Sequence, residues 1–225
     1  MSKLFKIILI ILSILIAAVL TSLAIYFVFF NNKNEISNQT FQQNLNIINP
    51  DTNTNSEPQS QFTYPIQNFK TNQTKKTFDQ FITAENSPIQ PERFSGYHAG
   101  ADIEINPDQI DQDVPIYAIE DAQVVYLGYV SGYGGVIILQ GNVNNQPVTF
   151  LYGHIKLSSV NLSVGDQVSN GQQIGILGDQ YSTETDRERK HLHFAIHKGS
   201  NIELRGYVNN EAELQNWYNP NDIIK

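Results

Sequence analysis

Residues 190–199 read KHLHFAIHKG. On a β-strand successive side chains point to opposite faces, so residues two apart share a face. Read that way, His191 and His193 lie together on one side while Leu192 and Phe194 pack into the other. The stretch is predicted as a strand that carries its two imidazoles on the face opposite Leu192 and Phe194.

Working outward, the same texture recurs. Runs rich in Val, Ile, Tyr and Phe occupy 101–105, 115–119, 122–129, 135–140, 148–154, 167–168, 173–177 and 191–197. Turn signals bound them: Gly141-Asn142, Asn144-Asn145, Gly165-Asp166 and Asn170-Gly171. Many short strands at close spacing predict an all-β domain, an antiparallel sandwich or barrel. Only Asn209–Trp217 reads as helical, opening at Asn209 or Asn210 and closing before Pro220.

Upstream of this domain the composition changes twice. Residues 7–30 are an apolar run broken only by Ser13, Thr21 and Ser22. As a helix they would extend roughly 36 Å at ~1.5 Å per residue, enough to cross a bilayer. The run exceeds a signal-peptide core of ~7–15 residues and ends in bulky Tyr26-Phe27-Val28-Phe29-Phe30. Residues 1–30 are therefore expected to be a retained, single-pass membrane anchor. Lys3 and Lys6 precede the span, which puts the N-terminus in the cytoplasm and the remainder outside. From 31 to 61, twenty of thirty-one residues are Asn, Gln, Ser or Thr. That segment buries too little surface to offset its ordering entropy and is expected to be a disordered linker. The globular domain is placed at 62–225.

The chain holds no cysteine, which removes disulfides, thiolate metal sites and cysteine nucleophiles. Its formal charge of -8 lacks the basic stripe of a nucleic-acid binder. Nothing in the composition points to a protein partner.

The five histidines are His98, His154, His191, His193 and His197. The stretch GYHAGADIEI, residues 96–105, places His98 and Asp102 four apart; on a strand these too share a face. Two imidazoles and a carboxylate suit Zn²⁺, whose catalytic sites use three protein ligands and keep a fourth position open. Either pair alone is an ordinary surface pattern; together, in a chain with few histidines, they point to a metal site. His154, in LYGHI, is by itself more often a hydrogen-bonded structural residue. His197 shares parity with His193, but Lys198-Gly199-Ser200 ends the strand and leaves it at the rim.

GYHAGADI (96–103), LYGHI (151–155) and HLHFAI (191–196), in that order, resemble the three signatures of the lysostaphin-type zinc endopeptidases. Those enzymes cut peptide bonds in bacterial peptidoglycan and share a duplicated hybrid motif fold. The glycine-punctuated VGDQVSNGQQIG (164–175) and SGYGGVIILQ (131–140) are similar to the family's strands. The resemblance covers roughly 78–198. It implies His98, Asp102 and His193 as zinc ligands, and His154 and His191 as catalytic residues beside the attacking water. It further implies a peptidoglycan peptide as substrate. All five positions are filled, unlike in a non-catalytic wall-associated regulator or scaffold on the same fold, the alternative reading.

Two segments depart from the family. The usual phenylalanine-glycine-x-arginine lead-in is absent from FDQFITAENSPIQPERFSGYH, and STETDRERKHLH is charged where relatives are small and rich in threonine and glycine. Both are expected to border the cleft and bear on substrate preference. Glu104 shares the face of Asp102 and is a candidate supporting partner or base, with structural or rim duty the preferred assignment. Tyr133 and Tyr152 are candidates for substrate contact. VGDQVSNGQQIGILG also resembles the hairpin of biotinyl and lipoyl carriers, but no lysine sits at its turn.

Overall fold

A computed structural model describes residues 62–225. The predicted anchor at 1–30 and the linker at 31–61 lie outside the described residues. Among the described residues no helix is long and apolar enough to cross a membrane.

The elements run in chain order as β1 (Phe81–Ile82), β2 (Gly96–His98), β3 (Ala101–Glu104), β4 (Pro115–Tyr117), β5 (Ala122–Val130), β6 (Gly134–Val143) and β7 (Gln146–Gly153). They continue as β8 (Gln167–Val168), β9 (Gln173–Ile176), β10 (His191–Lys198), β11 (Tyr207–Val208), α1 (Glu211–Leu214), β12 (Trp217–Tyr218) and α2 (Pro220–Ile223). The main sheet orders β12-β10-β7-β6-β5-β8, with β3 also pairing β10. Two small sheets, β1-β2-β11 and β4-β9, complete the described fold. Every ladder is antiparallel, as expected of an all-β chain with turn-punctuated strands.

Period-two alternation decides where the core sits. Ile137 and Leu139 on β6, Phe150 and Tyr152 on β7, and Leu192, Phe194 and Ile196 on β10 all enter the larger apolar cluster. Their neighbours Val136, Ile138, Leu151 and Ala195 enter a smaller one on the opposite face. The central strands are thus covered on both sides, which is why VIIL reads as continuous rather than alternating. Phe150, Tyr152 and Phe194 are fully buried; each contributes roughly 1.5–3 kcal/mol by leaving water. Tyr152 is therefore a core residue, its hydroxyl accepting a bond from the Ile119 amide at 3.2 Å. It has no access to substrate.

The hairpin joining β6 to β7 turns at Asn144-Asn145, with φ of 51° and 61°. This is the two-residue connection whose twist matches the flanking strands. The other turn expected nearby, Gly141-Asn142, is instead inside β6. Gly141 is small because of a close approach: a Cβ there would lie 2.7 Å from Glu120 Oε2. The predicted helix at 209–217 shrinks to α1, capped by Asn210 accepting from the Glu213 amide at 3.0 Å. Trp217 leaves it to pair with His197 across β12 and β10.

GYHAGADIEI is not one strand. It breaks at Ala99-Gly100, so His98 closes β2 in one sheet and Asp102 belongs to β3 in another. A Cβ on Gly100 would meet His193 Nε2 and the Phe194 carbonyl, both at 2.7 Å. Glycine lets the chain pass that close to β10. His98 and Asp102 converge through this tight crossing, not through shared strand parity.

Candidate metal centre

Register brings the site together. Asp102 on β3 stands opposite His193 on β10, and Glu104 opposite His191. On the other side of β10, His193 pairs with Gly153, which places His154 at the end of β7 beside the same imidazoles. The sequence prediction for β10 holds: both histidines share the face away from Leu192 and Phe194.

His98, Asp102 and His193 are all buried and turn one ligand atom each toward a common point. His98 Nε2 is 3.1 Å from His193 Nδ1, His193 Nδ1 is 3.0 Å from Asp102 Oδ1, and His98 Nε2 is 3.3 Å from that oxygen. A tetrahedral ion with bonds of ~2.0–2.1 Å spaces its donors by roughly 3.3 Å. The triangle fits such an ion, and a two-nitrogen, one-carboxylate donor set is a zinc set. Outer partners fix the orientation of each ligand. His98 Nδ1 faces the Thr77 carbonyl at 3.1 Å. A carbonyl only accepts, so Nδ1 donates and Nε2 presents its lone pair inward. His193 Nε2 faces the Tyr133 hydroxyl at 3.5 Å, leaving Nδ1 for the triangle.

Burial pushes the His193 imidazole down to about 4 against the pull of Asp102. A neutral imidazole is the form a metal binds. Burial alone would raise the Asp102 carboxyl, but the imidazoles of His191, His98 and His193 gathered around it hold it well below the usual carboxylate range.

Two further imidazoles flank the triangle. His191 Nδ1 donates to the Arg189 carbonyl at 2.9 Å, so Nε2 is the atom left to face the cleft, 3.3 Å from Asp102 Oδ2. His154 lies against it, ring centroids 4.2 Å apart. His154 adopts φ of 65°, a left-handed conformation that non-glycine residues populate sparsely. Its Nδ1 is buried without a hydrogen-bond partner. Burial, reinforced by His191, holds its imidazole well below the ordinary histidine value. An orphaned, neutral ring nitrogen beside a donor triangle is poised to accept a proton from something bound there. His197 is not part of this group; it stacks edge-on against Trp217 with ring centroids 4.9 Å apart.

Sequence reasoning missed Arg189. In a segment read as bordering the cleft, this guanidinium reaches both Asp102 and Glu104. The signal was available only in three dimensions, because 85 residues separate Arg189 from Glu104. The metal-facing cleft encloses about 220 Å³, walled by Phe94, Gly132, Tyr133, Leu204 and Tyr207 around the histidines. Burial raises the Tyr133 phenol far above its ordinary value, so its hydroxyl remains a donor.

Residues 96–204 match the sequence profile described as peptidase family M23. The endolysin 2638A of Staphylococcus phage 2638A is 28% identical over 112 residues, covering 50% of this chain and 21% of the endolysin. The aligned region thus spans about a fifth of that relative's length. Among solved structures, lysostaphin from Staphylococcus simulans is 29% identical, with 56% of this chain and 43% of lysostaphin covered and a TM-score of 0.39. CbpA from L. salivarius REN is 20% identical, with 66% and 83% covered and a TM-score of 0.43.

Proposed function

We propose, from the match of residues 96–204 to peptidase family M23, that the chain is a zinc metallo-endopeptidase that hydrolyses peptide bonds in bacterial peptidoglycan. The observation that carries this reading is the complete donor triangle of His98, Asp102 and His193, with His154 and His191 beside it. A regulator or scaffold on the same fold has no use for such a set.

His98, Asp102 and His193 would hold the ion. Bound there, zinc supplies Lewis acidity, polarising the scissile carbonyl and making water a nucleophile near neutral pH. The surrounding residues handle protons and charge. His191, with Nδ1 tied to a carbonyl, offers Nε2 to take a proton and hand it to the leaving amine. His154 offers its unpartnered imidazole to the same task or to the developing oxyanion. Tyr133 adds a hydroxyl donor at the cleft wall. Gly132 and Gly206 also line the cleft, and Gly206 packs so close to Tyr133 that a Cβ there would lie 2.5 Å from its hydroxyl.

The same reading puts the domain outside the cell. Residues 7–30 would hold the chain in the membrane by a single pass, with the N-terminus cytoplasmic, and 31–61 would tether the enzyme to reach the wall.

The test is direct. Full-length protein incubated with purified peptidoglycan is expected to release new amino termini, to stop when a chelator removes zinc, and to resume when zinc returns. Zinc-loaded protein that releases none would overturn the reading. Protease applied to intact cells should degrade 62–225 and spare the N-terminal segment if the topology is right.

A further inference from the structure

Strand β3 presents two carboxylates on one face, Asp102 and Glu104, opposite two histidines on β10. Register sets Asp102, and not Glu104, opposite the ligand His193, and Arg189 adds a second distinction. Its Nη2 donates to Asp102 Oδ2 at 2.9 Å, while Nε reaches Glu104 Oε1 and Oε2 at 2.9 and 3.0 Å and Nη2 reaches Oε1 at 2.6 Å. Arg189 is 9% exposed, and Asp102 is buried as well. The guanidinium therefore occupies the outer oxygen of Asp102 and both oxygens of Glu104. One oxygen, Asp102 Oδ1, is left facing His98 and His193.

We propose that Arg189 is a positioning residue that selects the metal: it confines Asp102 to single-oxygen ligation and sequesters Glu104, keeping the donor set at two nitrogens and one oxygen. This rests on the zinc-site reading above. Oxygen-rich sites favour hard ions such as Mn²⁺ and Ca²⁺, whereas a nitrogen-dominated, four-coordinate site favours Zn²⁺. A planar fork is suited to the role, since it spans two carboxylates where an ammonium acts as a point charge. The hydrophobic and histidine signatures do not specify Arg189; the charged segment 182–190 supplies it.

The experiment compares the full-length parent with Arg189→Gln, Arg189→Lys and the double variant Arg189→Gln/Glu104→Gln. Zn²⁺ and Mn²⁺ affinities are measured by competition with a chromophoric chelator, and coordination by the visible absorption of the Co²⁺-loaded proteins. Arg189→Gln is expected to weaken zinc binding roughly 10- to 100-fold, to raise the preference for Mn²⁺ over Zn²⁺, and to weaken the intense visible bands of four-coordinate Co²⁺. The double variant, with no second carboxylate to recruit, should recover the metal preference but not the full affinity. Should Arg189→Gln fail to fold, Arg189→Lys is decisive: it keeps the charge and loses the fork, so the Co²⁺ spectrum and metal preference should still shift. Zinc affinity within about twofold of the parent in a folded Arg189 variant, with an unchanged Co²⁺ spectrum, overturns the proposal. A parent that binds no zinc would instead sink the metalloenzyme reading itself.

Discussion

His154 and His191 sit with ring centroids 4.2 Å apart, yet only one is anchored: His191 Nδ1 is bound to the Arg189 carbonyl, while His154 Nδ1 has no partner. Neither ring belongs to the donor triangle. Replacing His154 by Ala should therefore leave zinc content intact while lowering kcat by roughly 10²–10⁴-fold, the usual worth of a positioned acid or base. Metal analysis alongside peptidoglycan digestion checks it; loss of zinc would make His154 a ligand.

The triangle itself should respond differently. His98→Ala or Asp102→Ala removes one of three protein donors and should abolish both stoichiometric zinc and hydrolysis. Zinc stabilises only the folded chain, so thermal melts with and without excess zinc should coincide in these variants and separate in the parent.

Gly100→Ala tests the crossing between β2 and β3. The added methyl would sit 2.7 Å from both His193 Nε2 and the Phe194 carbonyl. Overpacking of this kind costs about 1–3 kcal/mol. Urea unfolding should show that loss, together with weakened zinc binding because His193 is the side chain displaced.

Tyr133→Phe removes a buried hydroxyl 3.5 Å from His193 Nε2 without altering the ring. If the hydroxyl donates to the developing oxyanion, kcat at saturating zinc falls by about 10²-fold, and zinc affinity weakens as well because His193 loses its outer partner. An unchanged rate would assign Tyr133 to packing, through its ring contacts with His154 and His193.

Metal-free protein should lose stability in mild acid. The folded His193 is depressed to about 4 and His154 is shifted the same way, whereas unfolded histidines titrate near ~6.5. Between those values the unfolded chain binds protons that the folded chain excludes. Stability is thus retained above about pH 6.5 and falls toward pH 4, by up to about 1.4 kcal/mol per pH unit for each such histidine. Chemical denaturation of chelator-treated protein across that window measures the slope; a flat profile would mean the imidazoles are not held neutral.

Much of this was legible in the sequence, and the exceptions have physical reasons. Strand periodicity located β5, β7 and β10 within a residue or two because their apolar faces are set by burial, but it ended β6 three residues short, where Gly141-Asn142 read as a turn. The two-residue strands β1, β11 and β12 carry no usable period and were missed or, for Trp217, read as helix. His191 and His193 shared a face for the reason parity gives. His98 and Asp102 met for another reason, a glycine crossing between two sheets, so a sound conclusion rested on the wrong local geometry. The convergence of these residues with His154 came from motif order and the resemblance it carried. Arg189 belonged to no motif; its partners are defined by a fold that brings position 189 onto β3.

Asn144-Asn145 places the most permissive point of the main sheet at the end remote from the imidazoles. The eight residues of β7 separate that tip from His154, roughly 25 Å at ~3.3 Å per residue, and the four residues from Asn144 to Pro147 are exposed. A foreign module spliced between the two asparagines would ride on the enzyme without shadowing its mouth. The hairpin is thus a natural port for grafting a fluorescent reporter or a second wall-targeting head, with turnover untouched.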